Sequence, residues 1–424
     1  MLVLLFGAFL LLVVANVPIG FSLGITSMGY ILLKGMPLLV LPHRICGGID
    51  SFPLLAIPFF VLAGQLMNNG GVTRRIFGFS SELVGHIPGG LGHVNIIASI
   101  IFAGMTGSAL ADTAGLGTVE VKAMEEEGFD TPFSAAVTVA SSTIGPIIPP
   151  SIPLVIYGVL AEVSIARLFL GGFIPGLLMG LAMMVLVYFI AKRRAYPRRK
   201  RTTRRRLVAS FFDSLPSLAA PIFIVGSIVT GVASPTEAGV VAVIYALFLG
   251  GILYRELKLK DIYSALRETF QTTAVIMFVV GAAALFGWTL TREQLAIKLT
   301  QYVASISVSP VVILLAVNVL LLMLGCFMET TSIQVLLTPI LAPVMKLIGV
   351  DLVHFGVVMV LNLMIGLLTP PFGMGLFVVS RVARIPVAKT IREVLPFLVP
   401  LLAVLLIITL YPPAVTWLPS ILMP

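Results

Sequence analysis

Apolar runs close to the roughly 20 residues that a helix needs to cross a bilayer recur from one end of the chain to the other. In the first half they predict crossings over residues 2–15, 18–34, 53–69, 133–160 and 167–191. The fourth is interrupted. Its stretch "SSTIGPIIPPSIP", Ser141 to Pro153, carries Pro146, Pro149, Pro150 and Pro153. Proline lacks a backbone donor and clashes with the carbonyl four residues back, so a helix here stops and restarts. Between the third and fourth runs, Gly92 to Asp130 has two apolar arms of about a dozen residues, short for a crossing, that meet at the small-residue tip "GMTGSA". This pattern predicts a re-entrant hairpin.

The second half repeats the first. "NVPIGF" at Asn16 corresponds to "SPTEAG" at Ser234, and "GFDTPF" at Gly128 to "GVDLVH" at Gly349. Ser141, Gly145, Pro149 and Pro150 align with Asn362, Gly366, Pro370 and Pro371 of "NLMIGLLTPPFGMG" at one offset, 362 less 141, or 221. Five crossings per half is odd, so the second half must run inverted. The fold expected is an all-α polytopic membrane protein of two inverted repeats, each with a re-entrant hairpin and a broken helix, in the manner of elevator-type transporters. The first repeat covers residues 1–191 (hairpin 92–127, broken helix 133–160). A basic linker follows at 192–213, and the second repeat at 214–424 (hairpin 310–348, broken helix 353–381).

Composition fits this class: of 424 residues, 58% are hydrophobic and 11% charged, and mean hydropathy is +1.11, beyond what a soluble domain carries. The net charge of +9 is local. "KRRAYPRRKRTTRRR", Lys192 to Arg206, holds ten Lys or Arg and no acid, and removing those ten from +9 leaves −1. That run reads as a cytoplasmic topology determinant near anionic headgroups, not as a nucleic-acid site. With it inside, both termini are periplasmic and basic residues divide 21 inside to 6 outside, or 11 to 6 without the ten. The N-terminus lacks a basic n-region and a small-residue cleavage pattern, so it reads as a first span and not a signal peptide. Cys46 and Cys326 read as inert thiols.

Unpaired backbone is tolerated at membrane depth only where it lines a cavity or is buried in protein. The two tips, Gly104–Ala109 and Gly325–Ser332, and the two broken helices are therefore expected to form the site. Their hard oxygen donors, without His or Cys clusters, suit Na⁺ better than a transition metal. Ion binding is expected from Ser108, Ser141, Glu329, Thr330 and Asn362 and from backbone at Gly145, Pro149, Gly366 and Pro370. Substrate contact is expected from Thr106, Ser142, Thr143, Thr331 and Thr369. Arg381 closes the second broken helix, as a topology anchor or as a partner for a substrate carboxylate. Asp112 and Glu237 are weaker candidates, lying just past a tip and just past a proline break. Each hydroxyl taken alone also fits packing within membrane helices. The histidines have no metal-ligand spacing, no nucleotide-binding loop appears and no catalytic dyad is evident, so neither an enzyme nor an organic cofactor is expected. Two occluding hairpins also argue against a channel.

At these residues the chain resembles the large membrane subunit of tripartite ATP-independent periplasmic transporters, DctM-like. The matching stretches are "IPFFVLAGQLMNNGG", "GSALAD", "SSTIGPIIPPSIPLVIYG", "SPTEAG", "HFGVVMVLNLMIGLLTPPFG" and "VLPFLVPLLAVLLIITLYP". The resemblance implies Na⁺-coupled uptake of organic acids such as C4-dicarboxylates or sialic acids across the bacterial inner membrane by an elevator motion. It also implies a small membrane subunit and a periplasmic substrate-binding protein as partners. A stand-alone Na⁺/carboxylate symporter of similar plan is the alternative. One departure stands out: the family usually has Asp after the Met of the second tip, and here the residue is Glu329.

Overall fold

The computed structural model of the protein describes residues 1–295, 297–299, 301 and 309–423. Those residues form helices and connections, with no strand among them. Seven helices among them are long and apolar enough to cross a membrane. The broken helices form as Thr131–Ser142 with Ile152–Leu160, and as Leu352–Gly366 with Met374–Val382.

Their place in the molecule follows from their composition. Every residue from Phe133 to Ser142 and from Val353 to Gly366 is buried. The first of these helices carries Ser134, Thr138, Ser141 and Ser142, small and hydroxylic residues that suit close helix contacts better than a lipid face, and both helices sit in the middle of the packing. Thr131–Ser142 packs against Val387–Leu410 of the other half, and Ile152–Leu160 packs against Thr330–Leu347. Gln334 donates to the Pro153 carbonyl at 3.0 Å and Tyr157 to the Leu352 carbonyl at 2.8 Å, so the halves interlock. Around this centre, Leu259–Arg292 packs on Ile19–Leu33, Val40–Ile49 and Ala56–Asn69, and Ala56–Asn69 packs on Pro235–Leu247.

The glycine turns after the two hairpins fold alike. Gly128 and Gly349 each follow a hairpin with φ of 89° and 79°, a left-handed conformation that a side chain would strain. In both, the next residue's amide closes the helix: Phe129 donates to the Met124 carbonyl at 3.0 Å and Val350 to the Met345 carbonyl at 2.9 Å. Asp351 then caps the following helix through the amides of Val353 and His354. Asp130, its counterpart, makes no such cap and instead accepts from the Tyr196 hydroxyl at 2.6 Å.

One feature differs from the sequence expectation. The first arm of the first hairpin, Gly90–Thr106, has 17 residues instead of about a dozen and faces two shorter helices, Ala109–Ala114 and Leu116–Glu126; in the second hairpin Pro310–Gly325 faces Thr330–Leu347. The small and hydroxylic residues at each tip lower local hydropathy without ending the helix, so the apolar run understates its length. Thr330–Leu347 by itself is long enough to cross. The helix Val72–Val84 lies in a stretch to which the hydropathy pattern gave no crossing, because a polar face interrupts its apolar one. Arg74 and Arg75 bond there to Glu256, and Arg75 lies 3.6 Å from the Tyr254 ring centre. Burial pushes the Glu256 carboxyl up, but the Arg75 hydrogen bond and the two guanidinium charges outweigh it and hold the group below its usual range.

Candidate functional site

A cavity of about 1040 Å³ is lined by both hairpin tips (Thr106 to Ala111 and Glu329 to Ser332) and by both broken helices, through Pro146, Ile152 and Pro153 and through Met364 and Leu367. The four elements singled out in the sequence therefore meet at one place. The opposite wall comes from Pro18–Phe21, from Gln65 and Asn68, and from Gln271 and Thr272. Sequence reasoning did not select those four amide and hydroxyl residues. Of these, only Gln65 interrupts an apolar run; Asn68, Gln271 and Thr272 lie at the ends of theirs.

Helix starts converge on the cavity. Ser108 caps Ala109–Ala114 by accepting from the Ala111 amide, and Glu329 caps Thr330–Leu347 by accepting from the Ser332 amide at 3.1 Å. The Thr331 hydroxyl donates to the other Glu329 oxygen at 2.9 Å. The tips also touch the first break. A Cβ on Gly107 would come within 2.7 Å of the Pro150 carbonyl oxygen, and Gly107 has φ of 61°, so glycine is required there on both counts.

Of the residues expected from sequence, Thr106, Ser108, Glu329, Thr330 and Thr331 line the cavity. The others lie elsewhere. Ser141 is buried in a network behind the first tip, donating to Asn95 at 2.7 Å and accepting from Ser99 at 3.0 Å. Ser142 shares a 2.6 Å hydrogen bond with Thr113, and Thr143 bonds back to the Ala140 carbonyl at 2.6 Å. Asn362 donates to the Asn318 carbonyl and side-chain oxygens at 3.0 and 3.1 Å, and Asn318 donates to Thr409 at 2.8 Å. Thr369 bonds back to the Ile365 carbonyl at 2.8 Å, and Arg381 is exposed at the end of its helix. Pro149, Gly145, Gly366 and Pro370 belong to the breaks but not to the cavity wall. The freed carbonyls are partly used internally, since Ser151 donates to Pro146 and also caps Ile152–Leu160 through the Leu154 amide. Glu237, the other weak candidate, is engaged in a capping box with Ser234.

Asp112 gains most from the structure. It is buried beneath the first tip, where one carboxylate oxygen accepts from Thr106 and the other has no donor. That second oxygen faces Gly145, where an added Cβ would lie 2.5 Å away. In the second half, the buried side-chain oxygen of Asn362 is likewise without a donor. Each half thus holds a buried acceptor with nothing to accept from, on or against its broken helix. Such groups are costly unless a partner completes them.

The sequence model for the DctM component of the tripartite ATP-independent periplasmic transporters matches residues 6–414. The chain belongs to this family. The sialic acid TRAP transporter large permease protein SiaM of Vibrio cholerae serotype O1 is 48% identical over 411 residues, covering 97% of this chain and 96% of that protein. The C4-dicarboxylate TRAP transporter large permease protein DctM of Pseudomonas aeruginosa is 40% identical over 367 residues, covering 87% of this chain and 86% of that protein. Among solved structures, the Alcanivorax borkumensis YdaH transporter superposes with a TM-score of 0.65 at 14% identity, covering 88% of each chain. At that identity the likeness is one of fold. The DctM-family chain is thus a multipass membrane permease subunit whose hairpin tips and helix breaks share one cavity.

Proposed function

We propose that this chain is the large permease subunit of a TRAP transporter that uses a Na⁺ gradient to take up an organic acid across the bacterial inner membrane. The acid is of the sialic acid or C4-dicarboxylate class, in line with the relatives' substrates. A periplasmic binding protein delivers it and a small membrane subunit completes the permease. The linker is cytoplasmic, both termini are periplasmic, and the halves are inverted repeats whose hairpins and broken helices move together as an elevator. The observation that carries this reading is the donorless carboxylate oxygen of Asp112 beside a cavity shared by both tips and both breaks.

The proposed mechanism follows from charge. The starts of Ala109–Ala114 and Thr330–Leu347 bring partial positive charge to the cavity, which favours an anionic substrate. Glu329, half-buried at the second tip, repels the same anion. A Na⁺ ion held by Glu329 and its hydroxyl neighbours cancels that repulsion, and a second at Asp112 with Thr106 and Ser108 fixes the first tip. Substrate then binds well only with its ions, which is a positive coupling free energy between the two sites. Ser141 and Asn362 act behind the tips, through the backbone they hold.

Reconstitution with the small subunit and the binding protein tests this reading. Uptake is expected only under an inward Na⁺ gradient and only with the binding protein present. Na⁺-driven uptake by the chain without that protein would instead support a stand-alone symporter. Glu329→Ala is expected to weaken apparent Na⁺ affinity about tenfold or more, on the scale of one lost charge-assisted contact. Unchanged Na⁺ dependence would remove Glu329 from the coupling.

A further inference from the structure

The run Lys192–Arg206 is not a loose tether. The Arg194 guanidinium bonds to Glu393 at 3.0 Å, and the Arg199 Nε–H bonds to Glu127 at 2.5 Å. The Arg199 amide donates to the Gly85 carbonyl at 3.0 Å, and its guanidinium reaches Ser81. Tyr196 packs on Phe129 and Phe133, with ring centres 4.8 and 4.9 Å apart, and Thr202 donates to Glu82. Residues 195–203 are therefore a strap. It is laid over the exit of the first hairpin, the start of the first broken helix and the helix Val72–Val84.

Docking uses two of the ten cations, and the other eight face outward. Lys192 and Arg193 end one long helix, Arg198, Lys200 and Arg201 lie on the strap, and Arg204–Arg206 begin the next helix. All are exposed, and among the described residues none forms an ion pair. Arg204–Arg206 stand at the positive end of a 26-residue helix whose cap, Thr203, makes no side-chain bond to it. Like charge at that end is unfavourable unless an anion compensates it. The helices on either side, Ile165–Arg194 and Arg204–Val229, are both candidate spans, so the strap lies at the bilayer surface. Phosphodiester groups are the polyanion present at that depth, and guanidinium forks match phosphate oxygens well.

We propose that the strap is a binding site for anionic phospholipid headgroups, with phosphatidylglycerol or cardiolipin phosphates completing the eight unpaired cations. This goes beyond the transport reading and does not depend on it. The test uses the full chain, purified in detergent and exchanged into nanodiscs of phosphatidylcholine with or without phosphatidylglycerol. Lipid retention is read by native mass spectrometry. Wild type is expected to retain phosphatidylglycerol over phosphatidylcholine. A variant with glutamine at Arg198, Lys200, Arg201 and Arg204–Arg206 is expected to lose that preference at least tenfold, since basic side chains near an anionic surface each add to the attraction. A second variant with lysine at the five arginines among these keeps the charge and is expected to keep the preference, which separates loss of charge from loss of fold. Should the six-site variant fail to fold, Arg204→Gln, Arg205→Gln and Arg206→Gln together carry the same comparison. Equal retention of both lipids by wild type, or unchanged preference in the neutralised variants, would overturn the proposal. So would displacement of the lipid by stoichiometric short RNA, which would make nucleic acid the better ligand.

Discussion

Asp112→Asn is expected to weaken the apparent Na⁺ affinity of uptake about 100-fold while leaving a folded, membrane-inserted protein. The carboxylate is 2% exposed, accepts from Thr106 on one side and has no donor on the other. Asparagine is nearly the same size and its amide oxygen can still accept from Thr106, so the packing beneath the tip is kept. The full negative charge is lost, and an NH₂ group can take the place of the donorless oxygen beside Gly145. Removing one partner of a buried charge pair costs about 3 kcal/mol or more, which is roughly 100-fold in an equilibrium constant. Na⁺ affinity measured by uptake in proteoliposomes should fall by that order, with normal thermal unfolding as the control. Wild-type Na⁺ affinity in the folded variant would mean that Asp112 serves packing alone.

What the sequence could reveal follows from which constraints act locally. The bilayer sets a minimum length for apolar helices, and proline sets where they stop. The run 167–191 accordingly appears as the candidate span Ile165–Arg194, the run 18–34 forms the shorter 15-residue helix Ile19–Leu33, and the interrupted run breaks between Ser142 and Ile152. The common offset of the two proline pairs points to equivalent positions in the two halves of the sequence. The cavity, too, could be anticipated, because broken backbone has few places to go. Burial and partnership are different, since both are made by distant segments. Asp112 in sequence is one carboxylate beyond a tip, and only the packing of Thr106 and Gly145 around it leaves one oxygen without a donor. Ser141 and Asn362 stand out as polar residues in apolar runs, yet their partners come from other helices: Asn95 and Ser99 for Ser141, and Asn318, itself bonded to Thr409, for the Asn362 amide nitrogen. Their hydrogen bonds place both behind the cavity wall. The Glu329 carboxylate was legible, but its second task as a helix cap depends on the turn geometry that follows it. The eight outward cations were legible as a run, and the docking of the strap by Arg194, Tyr196 and Arg199 was not, because its acceptors lie 66 to 199 residues away.

Gly366→Ala is expected to damage both folding and transport, because the second break leaves no room for a methyl group. Gly325, the first residue of the second tip, and Gly366, at the end of Leu352–Gly366, meet backbone to backbone. A Cβ on Gly366 would lie 2.6 Å from the Gly325 Cα, and a Cβ on Gly325 would lie 2.9 Å from the Gly366 Cα. The obstructing atoms are main chain on both sides, so no rotamer change relieves the contact and the hairpin arm must move off the broken helix. Overpacking of this kind costs about 1–3 kcal/mol, and the shift falls on the element that carries Glu329 into the cavity. Uptake should therefore fall by more than the loss of folded protein explains. Gly287→Ala is the matched control, since its Cβ would meet Pro339 at an ordinary 3.8 Å. Uptake per folded molecule and the thermal midpoint should drop for Gly366→Ala and hold for Gly287→Ala. If the two variants behave alike, the close approach of tip and break is not what holds the second half of the site together.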